Sequence, residues 1–110
     1  MPHATPVLRE KVIDERGNIL ELVIWRVPTS PRSPSGVRYR LAFVRPDQEN
    51  PVVLYDNHPP KGHHRHVEGV QEGYDFVDVD KLLEDFVADV RRIMGTTDGQ
   101  DANDPNQVGR

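Results

Sequence analysis

The chain has no cysteine, which removes disulfides, thiol nucleophiles and cysteine-based zinc sites from consideration. Any metal would have to be held by histidine and carboxylate side chains. The sequence also lacks any apolar run near the ~20 residues a membrane-spanning helix requires. Its N-terminal MPHATPVLREK has no continuous apolar stretch of the signal-peptide kind. A cytoplasmic location with no membrane partner is therefore the expectation. There is no internal repeat and no glycine-rich phosphate loop, since GTTDGQ at Gly95 to Gln100 follows a helical pattern instead of opening one.

At 110 residues, with 35% hydrophobic and 29% charged residues, the chain can bury one modest core and leans polar. Its charge is unevenly spread. Residues 1–66 carry ten Lys/Arg against seven Asp/Glu, whereas residues 67–110 carry four against eleven. This is the form expected of a basic working surface with an acidic flank.

Hydrophobic periodicity orders the elements. VLREKVI (Val7 to Ile13) reads as a strand, DERGN (Asp14 to Asn18) as a tight connection, and ILELVIWRV (Ile19 to Val27) as a central strand rich in β-branched residues. Pro28 ends that strand, and PTSPRSPSG, to Gly36, reads as an exposed loop in which nothing is buried. VRYRLAFV alternates, with Tyr39, Leu41 and Phe43 on a core face and Arg38 and Arg40 on the other. VVLYD (Val52 to Asp56) follows as a fourth strand, and YDFV (Tyr74 to Val77) is a candidate fifth. From Val79 the period changes to three and four, through Leu82, Leu83, Phe86, Val87, Val90, Ile93 and Met94. Asp78 is placed to cap this helix and Gly95 to end it. The expected fold is α+β: an antiparallel sheet of four to five strands packed by one C-terminal amphipathic helix. One domain should cover residues 1–95, with a disordered acidic tail over 96–110.

Four of the five histidines lie in or beside one short stretch, YDNHPPKGHHRH, Tyr55 to His66. Near neutral pH imidazoles exchange protons readily, so two beside one substrate can act as base and acid. RNA cleavage needs little more: a base for the 2′-hydroxyl, an acid for the leaving 5′-oxygen and a cation for the phosphate. If HHRHV is extended, His64 and His66 share one face and His63 and Arg65 the other. His64 and His66 are the first choice for the acid–base pair, with His63 in reserve and Lys61 and Arg65 as cations. Asp56 could orient an imidazole or, with Asn57, simply make a turn, and Tyr55 adjoins the cluster. Arg26, Arg38 and Arg40 form a basic platform for phosphates if they share a sheet face. Trp25, Tyr39, Phe43 and Phe86 fall on apolar stripes and read as core.

Two other readings use the same residues. His64 and His66 with Asp56, His58 or Glu68 could hold zinc or another divalent ion, although the spacing matches no specific metal signature. The cluster could also be only the polar edge of a loop held out of the sheet by its prolines. No metal and no cofactor is the expectation.

The series GNILELVIWRVP, VRYRLAFV, YDNHPPKGHHRH and YDFVDVDKLLEDFVADVRR resembles a family of small prokaryotic proteins, the TumE-type toxin components of toxin–antitoxin modules. The likeness runs from about residue 7 to residue 94. It implies a compact toxin neutralised by a cognate antitoxin, commonly a helix-turn-helix DNA-binding protein encoded beside it. It also makes RNA a natural substrate, since many toxins of such modules cleave RNA. The family supplies no established catalytic residues. A non-enzymatic module that blocks a nucleic acid or protein through its basic face is the alternative, and a homodimer is left open.

Overall fold

A computed structural model describes residues 3–97, so the expected tail lies outside the described residues from 98 onward. The chain divides into two compact units, Met1–Phe76 and Val77–Arg110. The first is an antiparallel sheet of six strands in sequential order: β1 (Thr5–Ile13), β2 (Ile19–Arg26), β3 (Val37–Val44), β4 (Val53–Asp56), β5 (His64–Val67) and β6 (Val70–Gly73). The second carries one helix, α1 (Val79–Thr97). The class is α+β as expected, with more strands than expected.

The extra strands come from a hairpin that the sequence signals only weakly. Glu68 and Gly69 have φ of 51° and 84°, the pairing of positive values that a two-residue hairpin turn needs to match the twist of its strands. They join His64–Val67 to Val70–Gly73, whose side chains are mostly exposed. Gly supplies the second position without strain, but a glutamate in the first is no advertisement for a turn. YDFV, the expected fifth strand, is not a strand; Tyr74 and Phe76 instead bring their rings against Tyr55, Tyr39 and His63.

Cross-strand register sorts the side chains. Tyr39, Leu41, Phe43, Val53 and Tyr55 are buried and share one face with Ile24 and Val37, whereas Trp25, Arg38, Arg40, Asp56, His64 and His66 fall on the other. Trp25, expected in the core, pairs with Arg38 and so lies on the open face. Its apolar strand misleads because seven apolar residues in nine conceal which alternate set is buried; only Ile24 among them is fully so.

The Pro28–Gly36 loop is less open than expected, because Ser33 is buried, bridges to Ser30 and accepts a hydrogen bond from Arg38 Nη2 at 2.8 Å. Where β4 stops, Asn57 continues its work. Its Nδ2 donates to the Val37 carbonyl at 2.8 Å and its Oδ1 accepts from the Tyr39 amide at 2.9 Å, so a side-chain amide replaces a peptide unit along the β3 edge. In the helical unit, Asp78 Oδ1 accepts from the Lys81 amide at 2.8 Å, the expected cap. Leu82, Phe86, Val90 and Ile93 are the buried residues of the helix. Gly95 does not end it, and the helix continues to Thr97. With no positive φ at this glycine, the left-handed terminator expected there does not form.

Asn57→Ala should leave the buried Tyr39 amide unpartnered and the Val37 carbonyl with only the Ser35 hydroxyl at 3.4 Å, and cost roughly 1–3 kcal/mol, read by urea denaturation. A loss below about 0.5 kcal/mol would mean the amide does not hold this edge.

Candidate functional site

The site grows from the loop between β4 and β5. Its histidines are distributed by the two-residue period of β5, which sets His64 and His66 on one face and Arg65 on the other. His63, just before the strand, falls with Arg65. The rings of His64 and His66 lie 5.3 Å apart, centroid to centroid, edge to face. His64 is 8% exposed and its Nδ1 lies 2.8 Å from the Gly62 carbonyl. A carbonyl can only accept, so Nδ1 carries the hydrogen and Nε2 is the nitrogen left to exchange a proton with a substrate. Gly62 reaches this position at φ 75°, a conformation that suits glycine.

His66 pairs across the hairpin with Gln71, whose Oε1 takes a hydrogen bond from Lys61 Nζ at 3.4 Å. Lys61 is thereby held on the face of the pair. Desolvation first, then His64 and Lys61, hold the His66 pKa below the ordinary 6.5, while Asp56 acts in the other direction. At neutral pH His66 is a neutral base.

The other candidates separate. His63 lies on the Tyr39 side, stacked on Phe76 with centroids 4.9 Å apart, its Nδ1 2.8 Å from the Tyr39 hydroxyl. Burial raises the Tyr39 pKa well above its ordinary value, with Asp56 and Tyr55 adding to the effect. The phenol therefore stays protonated and donates to His63. Burial and then His64 lower the His63 pKa, so its ring is a neutral acceptor that ties the loop to β3. It does not join the His64–His66 pair.

Arg65 is also turned away from the pair. It forms an ion pair with Glu72 and donates to the Tyr55 hydroxyl at 3.1 Å. Tyr55 itself is fully buried, paired with Arg65 and edge-on to Tyr74. Neither reaches the surface that carries His64 and His66, because adjacent strand residues point to opposite faces.

Asp56 lies opposite both Arg40 and His64. Its Oδ1 accepts from the His58 amide at 2.6 Å, which makes it a turn-former, the second of the two readings open to it, and the Gly62 carbonyl orients His64. Arg38 and Arg40 share the open face as expected, but Arg26 pairs with Val37 and points to the other. Its place in the platform is taken by Arg9 and Lys11 of β1, which pair with Val23 and Glu21. Among the described residues no three His, Cys, Asp or Glu side chains form a group that could hold a metal ion.

The sequence pattern assigns Gly62 no role, reads Asn57 only as part of a turn and reads Trp25 as core. Alternation with Tyr39 places Arg38, but only the pairing with Arg38 across β2 and β3 places Trp25. Gly62 and Asn57 act through contacts that only the folded loop creates.

The family model described as Toxin TumE matches residues 4–94 of the chain. No curated protein and no solved structure matches it.

Because the folded His63 pKa is depressed, the unfolded chain binds more protons as pH falls. The stability contributed by neutral His63 is present above 6.5 and is lost as pH falls from there through the lowered folded value. Urea denaturation at pH 7.5 and pH 5.5 should show this loss, and His63→Phe should reduce it. An unchanged pH dependence in that variant would remove His63 from the account.

Proposed function

The chain belongs to the TumE toxin family, and on that premise we propose that it is a ribonuclease whose acid–base pair is His66 and His64. As a member of that family it is the toxin component of a toxin–antitoxin module, with an antitoxin as its partner. Among the described residues no helix is long and apolar enough to cross a membrane. The partner we propose is a helix-turn-helix DNA-binding antitoxin encoded beside it, with RNA as the target and the cytoplasm as the place of action.

One observation carries the catalytic reading: two imidazoles on one face, 5.3 Å apart, the first of which keeps only Nε2 for exchange. His66, neutral at pH 7, accepts the 2′-hydroxyl proton, and the 2′-oxygen attacks phosphorus. His64, protonated at both nitrogens, keeps its Nδ1–H on the Gly62 carbonyl and gives the Nε2 proton to the departing 5′-oxygen. The products are a 2′,3′-cyclic phosphate and a free 5′-hydroxyl. Lys61, beside Gln71, offsets the charge that builds on the phosphate. Arg38 and Arg40 hold flanking phosphates. The step requires no metal and no cofactor.

Purified protein should cleave RNA in EDTA, and His64→Ala or His66→Ala should each lower the rate by ~100-fold or more, with thermal stability close to the parent in His66→Ala and a cooperative unfolding transition retained in His64→Ala, whose ring is buried. Activity retained in both single variants and in the double variant would defeat the assignment. If instead both variants still arrest growth while charge reversal at Arg38 and Arg40 abolishes arrest, the protein acts by binding alone.

The acidic limb of the kcat/KM profile should lie below 6.5, where His66 loses its lone pair to a proton. Lys61→Met removes a cation that disfavours protonated His66, so the limb should move to higher pH. A limb that stays in place or moves down would show that His66 is not the base.

A further inference from the structure

Resting on the ribonuclease reading, we infer that the substrate is a single-stranded RNA, laid in a track between the Pro28–Gly36 and Asn57–Gly62 loops with a base stacked on Trp25. Three open depressions, of 560, 420 and 240 Å³, run together along this side of the sheet. The first and second share Arg32 and Pro59, and the second and third share Arg38 and His58. One end is bounded by Gly62, whose carbonyl holds His64. The other end is bounded by Trp25 and Arg40. A strand that enters at Trp25 therefore leads to Gly62, the residue whose carbonyl holds His64.

The lining has the chemistry of a sugar–phosphate strand with exposed bases. Arg32, Arg38 and Arg40 follow one another along it. The one carboxylate, Asp56, is engaged by the His58 amide. Arg38 is presented in a fixed attitude, with Nη2 on the buried Ser33 hydroxyl at 2.8 Å and Nε buried without a hydrogen-bond partner among the described residues. A guanidinium so held loses little freedom on meeting a phosphate. Trp25 is half-buried on the open face, with the Arg9 guanidinium 5.7 Å from its ring centroid. An aromatic ring beside cations in a basic groove is the arrangement on which unpaired bases stack.

A duplex fits neither the lining nor the chemistry. Its bases are already stacked on each other and offer Trp25 no face. Its regular backbone also holds the 2′-oxygen away from the line through phosphorus and the 5′-oxygen that displacement requires.

Trp25 is the chain's one tryptophan, so it reports on its own contact. The probe is a short unstructured oligoribonucleotide, titrated into the full-length His64→Ala/His66→Ala protein so that binding is read without cleavage. Trp25 fluorescence should be quenched in a saturable way. The same sequence in a duplex should bind about tenfold more weakly or worse, and Trp25→Ala and Arg38→Ala should each weaken single-strand binding, followed by anisotropy, by about tenfold. No quenching, or equal affinity for strand and duplex, overturns the track. Cleavage by the parent protein separates the two readings. If the parent cuts RNA but Trp25→Ala binds and cuts as it does, the track fails and the ribonuclease stands. If single strands bind with quenching but are never cut, the track stands and the ribonuclease fails.

Discussion

The register between β3, β4 and β5 is the constraint on which everything else depends. Because side chains alternate, a slip of one residue between β4 and β5 would exchange His64 and His66 for His63 and Arg65 on the open face. Three local devices hold these strands and their loop in place. The Glu68–Gly69 turn sets the loop length of the β5–β6 hairpin. The Asn57 side chain continues the pairing of β3 beyond the end of β4. The Tyr39 hydroxyl captures His63 on the far side of the sheet. Each is a hydrogen bond or a turn of modest net worth, but together they fix which imidazoles share the face of Arg38 and Arg40.

The histidine cluster is thus two groups with different physics. His63 is an apolar-packed, neutral acceptor between Tyr39 and Phe76. His64, buried, and His66, half-buried, are a pair on the other face whose neighbours are a backbone carbonyl, an amide and an ammonium. The first group holds the loop from which the second is presented. Arg65 divides in the same way from Lys61, since its guanidinium serves Tyr55 and Glu72 instead of a substrate. The basic face is assembled from β1 and β3, with β2 between them contributing Trp25 and Glu21.

What the sequence determined by itself was the part governed by local periodicity: the β1–β2 hairpin, the alternation of β3 that sets Arg38 and Arg40 against Tyr39, Leu41 and Phe43, and the capped amphipathic helix. The family and the grouping of His64 with His66 were legible for the same reason, since both rest on residue type and spacing. What only the tertiary structure decided depended on residues far apart in the chain. Arg26 left the platform because its partner is Val37, Trp25 joined the open face because its partner is Arg38, and Gly62 orients His64 while Asp56 forms a turn. The β5–β6 hairpin went unread because a glutamate at positive φ is stabilised by the strands it joins and not by its own preference. Periodicity says that a strand has two faces; only cross-strand pairing says which of them meets which neighbour, because register is a property of two segments and is written in neither alone.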